Sequence, residues 1–151
     1  MNYQDKVLEF MLASGQPVHL KRELTKEELD FRDSLLREEI RELREAIIDN
    51  NRVEILDALC DIKYVNDGTA NMMSVEQEDF FLNNLYGNGR ATSESDYDFN
   101  TCSVLDVTGI NSIVYYLASL YGFTLENFKT ALSRVHESNM SKFCNDIKTA
   151  E

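Results

Sequence analysis

A single proline, Pro17, and six glycines in 151 residues leave long stretches of the chain without a residue that interrupts a helix. Apolar side chains recur at the three- and four-residue spacing of an amphipathic helix, and no six-residue segment alternates as a half-buried strand would. The chain is therefore predicted to be all-α, a helical bundle of about five to six helices.

Capping signals divide the helical pattern into segments. The turn at residues 15–17 ends a short first helix. Thr25 and Glu28 form a capping box before a second helix, and Asn51 with Glu54 caps a third. The predicted helices cover residues 7–12, 25–49, 51–70, 74–85 and 105–121, and a last one runs from residue 124 to a polar, frayed tail after residue 142.

The length suits one compact domain, so residues 1–151 are predicted to form a single unit. Residues 86–103 are rich in Gly, Asn, Ser and Asp, which indicates a loop. Residues 87–90 lack the Gly-Lys-Ser/Thr ending of a P-loop, which leaves Arg90 as a remote candidate for a phosphate contact.

Charge and cysteine content exclude several classes of partner. The formal net charge is −12, and an acidic surface repels nucleic-acid backbones and anionic membranes. The cysteines, Cys60, Cys102 and Cys144, form no CxxC or Cys/His cluster that would indicate a disulfide framework or a zinc site. Because Asp5 and Glu9 interrupt the first apolar segment, a signal peptide is not expected. The protein is therefore expected to be cytoplasmic.

Acidic residues border the apolar stripes of the second and third helices. With Leu36 taken as zero, Glu39 and Glu42 fall together roughly 60° to 120° away, and Glu38 lies further out on the same side. Glu54 and Asp61 share a flank of the third helix, with Asp57 slightly beyond. Because the turn at residues 50–51 is short, the two helices are expected to be antiparallel neighbours whose acidic flanks face each other.

Carboxylates that converge in a cleft repel one another unless they bind protons or cations. Oxygen ligands without His or Cys select hard cations, so Mg²⁺ or Mn²⁺ is expected rather than zinc. The alternative is an ordinary solvated surface, on which Arg41 and Arg44 pair with the neighbouring glutamates.

The pattern resembles the metal site of the all-α nucleoside triphosphate pyrophosphohydrolases, which include the MazG proteins, the dimeric dUTPases and phosphoribosyl-ATP pyrophosphohydrolase. EExxE at residues 38–42 precedes ExxDxxxD at residues 54–61. SGQPV at residues 14–18 and the segment 61–70 are similar to MazG-like members, and VHESNMSK at residues 135–142 is similar to the phosphoribosyl-ATP-pyrophosphohydrolase-like subgroup.

The resemblance covers roughly residues 4–70 and 110–145, and residues 71–110 form an insertion relative to the compact family pattern. It implies hydrolysis of a nucleoside triphosphate to monophosphate and diphosphate, with Mg²⁺ as cofactor. The residues that match the family's metal ligands are Glu39, Glu42, Glu54 and Asp57. Glu38, Glu39 and Asp61 are the catalytic candidates, as a further ligand or as the base that orients the water.

The resemblance also implies a nucleotide site. Asn139 and Lys142 match family positions near the nucleotide, where Lys142 would supply a charge for a phosphate. Tyr64 could bond a ligand carboxylate or close the pocket, and Gln16 could contact a base. His136 is expected to be structural, at the C-terminal end of a helix, where the helix dipole favours it.

The preferred interpretation is a Mg²⁺-dependent (d)NTP pyrophosphohydrolase of nucleotide-pool house-cleaning, with dUTP as one candidate substrate. The alternatives are phosphoribosyl-ATP hydrolysis and a non-catalytic metal-binding helical interaction module. Because a two-helix hairpin cannot bury all its apolar surface alone, a homodimer or dimer of dimers is expected to complete a four-helix-bundle core.

Overall fold

The computed structural model describes residues 2–77, residue 99 and residues 102–150, with the side chains of the last helix described as far as Lys142. Within these residues the secondary structure is helical and contains no strand, which confirms the all-α prediction. The helices are α1 (Tyr3–Ala13), α2 (Lys26–Ile48), α3 (Arg52–Met73), α4 (Val107–Leu120) and α5 (Leu125–Ala150).

Helices α2 and α3 form an antiparallel hairpin that begins and turns at the predicted caps. Thr25 Oγ1 accepts a hydrogen bond from the backbone N–H of Glu28 at 3.1 Å, and Glu28 Oε1 accepts one from the backbone N–H of Thr25 at 2.8 Å. Asn50 adopts a positive φ of 52° in the turn, and the Asn51 side chain then caps α3. These local contacts set the register in which the two helices pack.

Helix α3 lies at the centre of the described structure and packs against α1, α2, α4 and α5. The apolar stripe of α2 is buried through Leu36, Ile40 and Leu43, as predicted. Ile47 is 36% exposed, although it lies on the same stripe. Because α3 begins only at Arg52, no described segment covers the stripe at the tip of the hairpin.

Buried polar residues join α3 to α4. Lys63 is fully buried, and its Nζ lies 3.1 Å from Asp67 Oδ2 and donates to Asn111 Oδ1 at 2.9 Å. The ammonium group also lies 5.6 Å and 5.1 Å from the ring centroids of Tyr3 and Tyr115. Charged side chains are almost never fully buried without partners, so this network is a fixed part of the core.

The other predicted helix boundaries agree with the structure only in part. Helix α3 extends to Met73, and Ser74 ends it in the left-handed conformation at φ 59°. The helix predicted for residues 74–85 does not begin at residues 74–77, and the rest of it, most of the insertion, Arg90 and the side chain of Cys144 lie outside the described residues. Helix α5 continues to Ala150, since no Gly or Pro follows Lys142. Among the helices described, none combines the length and apolarity that a membrane crossing requires.

Candidate functional site

Three carboxylates from the α2–α3 hairpin converge at one point. Glu39, Glu42 and Asp61 each offer an oxygen atom, and these atoms all lie within 4.8 Å of one another. Glu39 and Asp61 are half-buried, whereas Glu42 is exposed. The cluster arises because Glu39 and Glu42 lie three residues apart on one flank of α2, and the antiparallel α3 presents Asp61 at the same height.

The electrostatics of this cluster show strong crowding of negative charge. Burial, the charge of Asp61 and a hydrogen bond with Glu42 raise the pKa of Glu39 to about 8. Burial and the charges of Glu42 and Asp57 raise the pKa of Asp61 to about 6. In addition, Glu39 Oε2 is buried without a hydrogen-bond partner. A buried carboxylate oxygen of this kind, beside two further carboxylates, fits a hard divalent cation.

Glu54 and Asp57 lie on the same face of α3, two turns and one turn before Asp61. Both are exposed, and the negative charge of each raises the pKa of Asp61. They therefore face the cluster without belonging to the group of atoms within 4.8 Å. Asp57 also lines the larger of the two cavities described below, whereas Glu54 lines neither.

Glu38 lies apart from the cluster. Its carboxylate accepts a hydrogen bond from Arg41 Nε at 3.1 Å, and this contact lowers its pKa. Its side chain is 53% exposed, and it lines neither cavity described below. Glu38 therefore forms an ordinary surface ion pair with Arg41, which is the alternative given above for these glutamates.

Two cavities adjoin at the carboxylates and share Asp61, Asn139 and Lys142. The first has a volume of about 410 Å³, and the second about 570 Å³. We call them the inner and the outer cavity. The inner cavity is lined by Val7, Phe10, Met11, Gln16, Arg32, Leu35, Glu39, Glu42, Asp61, Tyr64, Val65, Gly68, Asn139 and Lys142.

All four predicted nucleotide-contacting residues therefore lie on the inner cavity. Lys142 projects from α5, and its positive charge lowers the pKa of Asp61. Gln16 lies in the turn after α1, where its Nε2 donates to Ser14 Oγ at 3.0 Å. These residues bring hydrogen-bonding groups from separate parts of the chain to the same volume as the carboxylates.

Tyr64 is buried in the wall of the inner cavity and bonds to α5. Its hydroxyl lies 3.4 Å from His136 Nδ1 and also bonds Asn139, while burial raises its pKa. His136 Nε2 lies 3.4 Å from Glu9 Oε1. The prediction of His136 at a helix end is wrong, because α5 continues to Ala150 and leaves His136 in its middle, only 8% exposed. It acts there as a packing partner of Tyr64.

Arginines that the sequence pattern did not single out also line these cavities. Arg52 and Arg134 lie on the outer cavity, together with Phe123, whose ring centroid is 4.8 Å from Arg52 Cζ. Arg32 lies on the inner cavity. The spacing contained a signal for Arg32, because it lies seven residues before Glu39, which is close to two helical turns.

Comparisons with known proteins identify a family to which this chain is similar. The model of the phosphoribosyl-ATP pyrophosphohydrolase family matches residues 8–84, which include all six acidic residues singled out on α2 and α3. An uncharacterized protein of Acanthamoeba polyphaga mimivirus is 31% identical over an alignment of 183 positions that covers 95% of this chain and 71% of the relative. No solved structure matches the chain significantly.

Proposed function

The chain belongs to the phosphoribosyl-ATP pyrophosphohydrolase family, a MazG-like all-α group, and we propose that it hydrolyses nucleoside triphosphates to monophosphate and diphosphate with Mg²⁺. Mn²⁺ is the second candidate metal. The family supports a pyrophosphohydrolase and a divalent metal. The identity of the metal and of the nucleotide is our proposal.

The observation that carries the proposal is the cluster of Glu39, Glu42 and Asp61 beside two cavities of nucleotide size. These three carboxylates would hold the metal. The charges of Glu54 and Asp57 raise the pKa of Asp61, so both carboxylates lie near enough to bind a second ion or the waters of the first. A bound Mg²⁺ neutralises phosphate charge and lowers the pKa of a coordinated water.

The chain's own residues supply the remaining functions. Glu39 and Asp61 are our candidates to accept a proton from the attacking water. Without metal, burial and crowding raise their pKa values to about 8 and about 6, and a bound cation would lower both and leave the carboxylates ionised near neutral pH. Lys142 provides a cation that lines both cavities, and Arg52 and Arg134 add two more along the outer cavity. Phosphate groups thus find cations on α3 and α5 that offset the acidic character of the whole chain.

We propose deoxynucleoside triphosphates as substrates, with dUTP among them, in house-cleaning of the cytoplasmic nucleotide pool. Phosphoribosyl-ATP is the second candidate, because the matching family model carries that activity in its description. A panel of both substrate types distinguishes these candidates directly.

We also propose that the chain acts as a homodimer or a dimer of dimers. Exposed apolar side chains at the tip of the α2–α3 hairpin support this: Ile48 is 81% and Val53 69% exposed, and Ile47 lies beside them. Covering such side chains with a second copy removes apolar surface from water.

The test is diphosphate release in Mg²⁺ from a panel of ribo- and deoxyribonucleoside triphosphates and phosphoribosyl-ATP. Wild-type protein is expected to release diphosphate, chelation with EDTA to stop it, and Glu42→Gln to reduce it at least 100-fold. Glu45→Gln is the matched control, since Glu45 lies on the same helix, 62% exposed and paired with Arg41. No turnover of any nucleotide, with wild type equal to Glu42→Gln, would leave the non-catalytic module as the better interpretation.

A further inference from the structure

Arg32 is a buried cation that no carboxylate of the described residues neutralises. It is 5% exposed, its Nε donates to Thr69 Oγ1 at 3.0 Å, and its Nη2 donates to the carbonyl oxygen of Val65. Burial lowers its pKa to about 10, so the guanidinium remains charged at neutral pH. A guanidinium has five N–H donors, and these two bonds leave the Nη1 donors available.

The guanidinium lies at the end of the inner cavity away from the carboxylates. Arg32 and Gln16 line both the inner cavity and a neighbouring one of about 280 Å³ that contains Phe31 and Met72, so they lie at the boundary between the two. Along α2, Arg32 is seven residues before Glu39, which corresponds to about 10 Å of helix. This separation is close to that between the phosphate and the base of one nucleotide.

Apolar side chains also line part of the inner cavity. Phe10, Met11, Leu35 and Val65 line it, and Tyr64 presents its ring edge to Phe10 with centroids 5.7 Å apart. A flat heterocycle can bury its faces against such side chains, while its polar edge needs partners at the far end. Arg32 lies there as a donor that cannot accept a hydrogen bond, beside Gln16, whose amide can both donate and accept.

We infer that Arg32 determines base specificity by donating a hydrogen bond to an exocyclic carbonyl oxygen of the nucleotide base. The inference rests on the proposed function, because it places the phosphates at Glu39, Glu42 and Asp61. Uracil and guanine present a carbonyl oxygen where cytosine and adenine present an amino group, and an amino group would set donor against donor. Arginine recognises guanine by the same chemistry in DNA complexes.

Gly68 is required for this position of Arg32. It lies on α3 against the guanidinium, and a Cβ atom at residue 68 would collide with Arg32 Nη2. The Gly68→Ala substitution therefore displaces the guanidinium from the Val65 carbonyl without removing it. Two independent substitutions thus perturb the same donor.

The test measures binding of dUMP, dCMP, dGMP and dAMP by calorimetry in Mg²⁺. Within each pair a carbonyl group of the base is exchanged for an amino group, and guanine carries a further 2-amino group. The wild type is expected to bind dUMP over dCMP and dGMP over dAMP by about 10- to 100-fold. Arg32→Gln should bring both ratios close to one, and Gly68→Ala should reduce them. Arg44→Gln, on the exposed side of the same helix, should leave them unchanged.

Arg32→Lys gives the same test with the buried charge kept, and its ratios should also fall because the planar fork is lost. Equal binding within each pair by the wild type, no binding of any monophosphate, or unchanged ratios in the Arg32 variants would overturn the inference. Diphosphate release from triphosphates is measured separately. Turnover without base preference refutes the inference alone, and base preference without turnover refutes the proposed function alone.

Discussion

Glu39→Gln is expected to stabilise the metal-free protein and to abolish its response to Mg²⁺. The substitution removes one charge from the carboxylate cluster at nearly constant volume. The pKa of Glu39 is about 8 in the folded chain against an ordinary 4.5, so the folded state binds a proton that the unfolded state releases. The contribution of this proton to stability is fully present below pH 4.5 and is lost as the pH rises through 8. The free energy of unfolding of the wild type should therefore fall over this range.

The size of the effect follows from the separation of the charges. At 4.8 Å, two unit charges repel by about 1 kcal/mol in water and about 3 kcal/mol at an effective dielectric constant of 20. Glu39 is half-exposed, so screening favours a value of about 2 kcal/mol. At pH 9 this corresponds to a melting temperature about 4 to 8 °C higher for Glu39→Gln than for the wild type, and the difference should shrink toward pH 5.

The assay is thermal unfolding in EDTA at pH 5, 7 and 9, repeated with Mg²⁺ at pH 8. The wild type should gain stability from Mg²⁺, because the ion binds only the folded cluster, and Glu39→Gln should not. Glu45→Gln serves as the control, since its exposed carboxylate pairs with Arg41 outside the cluster. A wild type that becomes more stable from pH 5 to 9, or a Glu39→Gln protein that keeps the full Mg²⁺ response, would refute the reasoning.

Three further substitutions test other parts of the structure. Lys63→Met should destabilise the fold by about 3–5 kcal/mol in urea unfolding, because it leaves Asp67 buried without its ion pair, and the double variant with Asp67→Leu should recover part of the loss; a loss no greater in the single than in the double variant would contradict this. Lys142→Ala should move the acid limb of the rate profile to higher pH, because Lys142 lowers the pKa of Asp61; an unchanged limb would exclude that coupling. Ile48→Lys should reduce the mass measured by light scattering if the hairpin tip joins two copies, and the same mass in both proteins would place the contact elsewhere.

Features that depend on neighbouring residues could be predicted from the sequence. The Thr25 capping box and the stripe through Leu36 and Leu43 are both recovered, because side chains three or four residues apart interact within one helix. The buried Lys63 could not be predicted in this way. Its partners include Asn111, 48 positions away, and a charged residue with such distant partners looks like a surface residue in the sequence.

The same distinction applies to the candidate site, in which some residues could be predicted from the sequence and others could not. The rotation of 100° per residue placed Glu39 and Asp61 on facing flanks, and these residues do converge. The same rotation shows that Arg32 shares the flank of Glu39, but an arginine near several glutamates is read first as a surface ion pair. Its burial depends on Gly68 of α3, whose missing side chain makes room for the guanidinium. That requirement becomes visible only when the two helices are placed together.

The packing of α3 explains how a chain can hold a repulsive cluster in the absence of metal. Leu59, Cys60 and Ile62, which flank Asp61, are all 0% exposed, so the backbone at Asp61 is fixed by the core. Moving the backbone at Asp61 away from Glu39 would require opening that core, at about 1.5–3 kcal/mol for each large apolar side chain. This cost is comparable to or larger than the repulsion at 4.8 Å. The carboxylates are therefore already in place to bind a cation. A flexible site would have to order its ligands when the cation binds, whereas folding has already ordered them here.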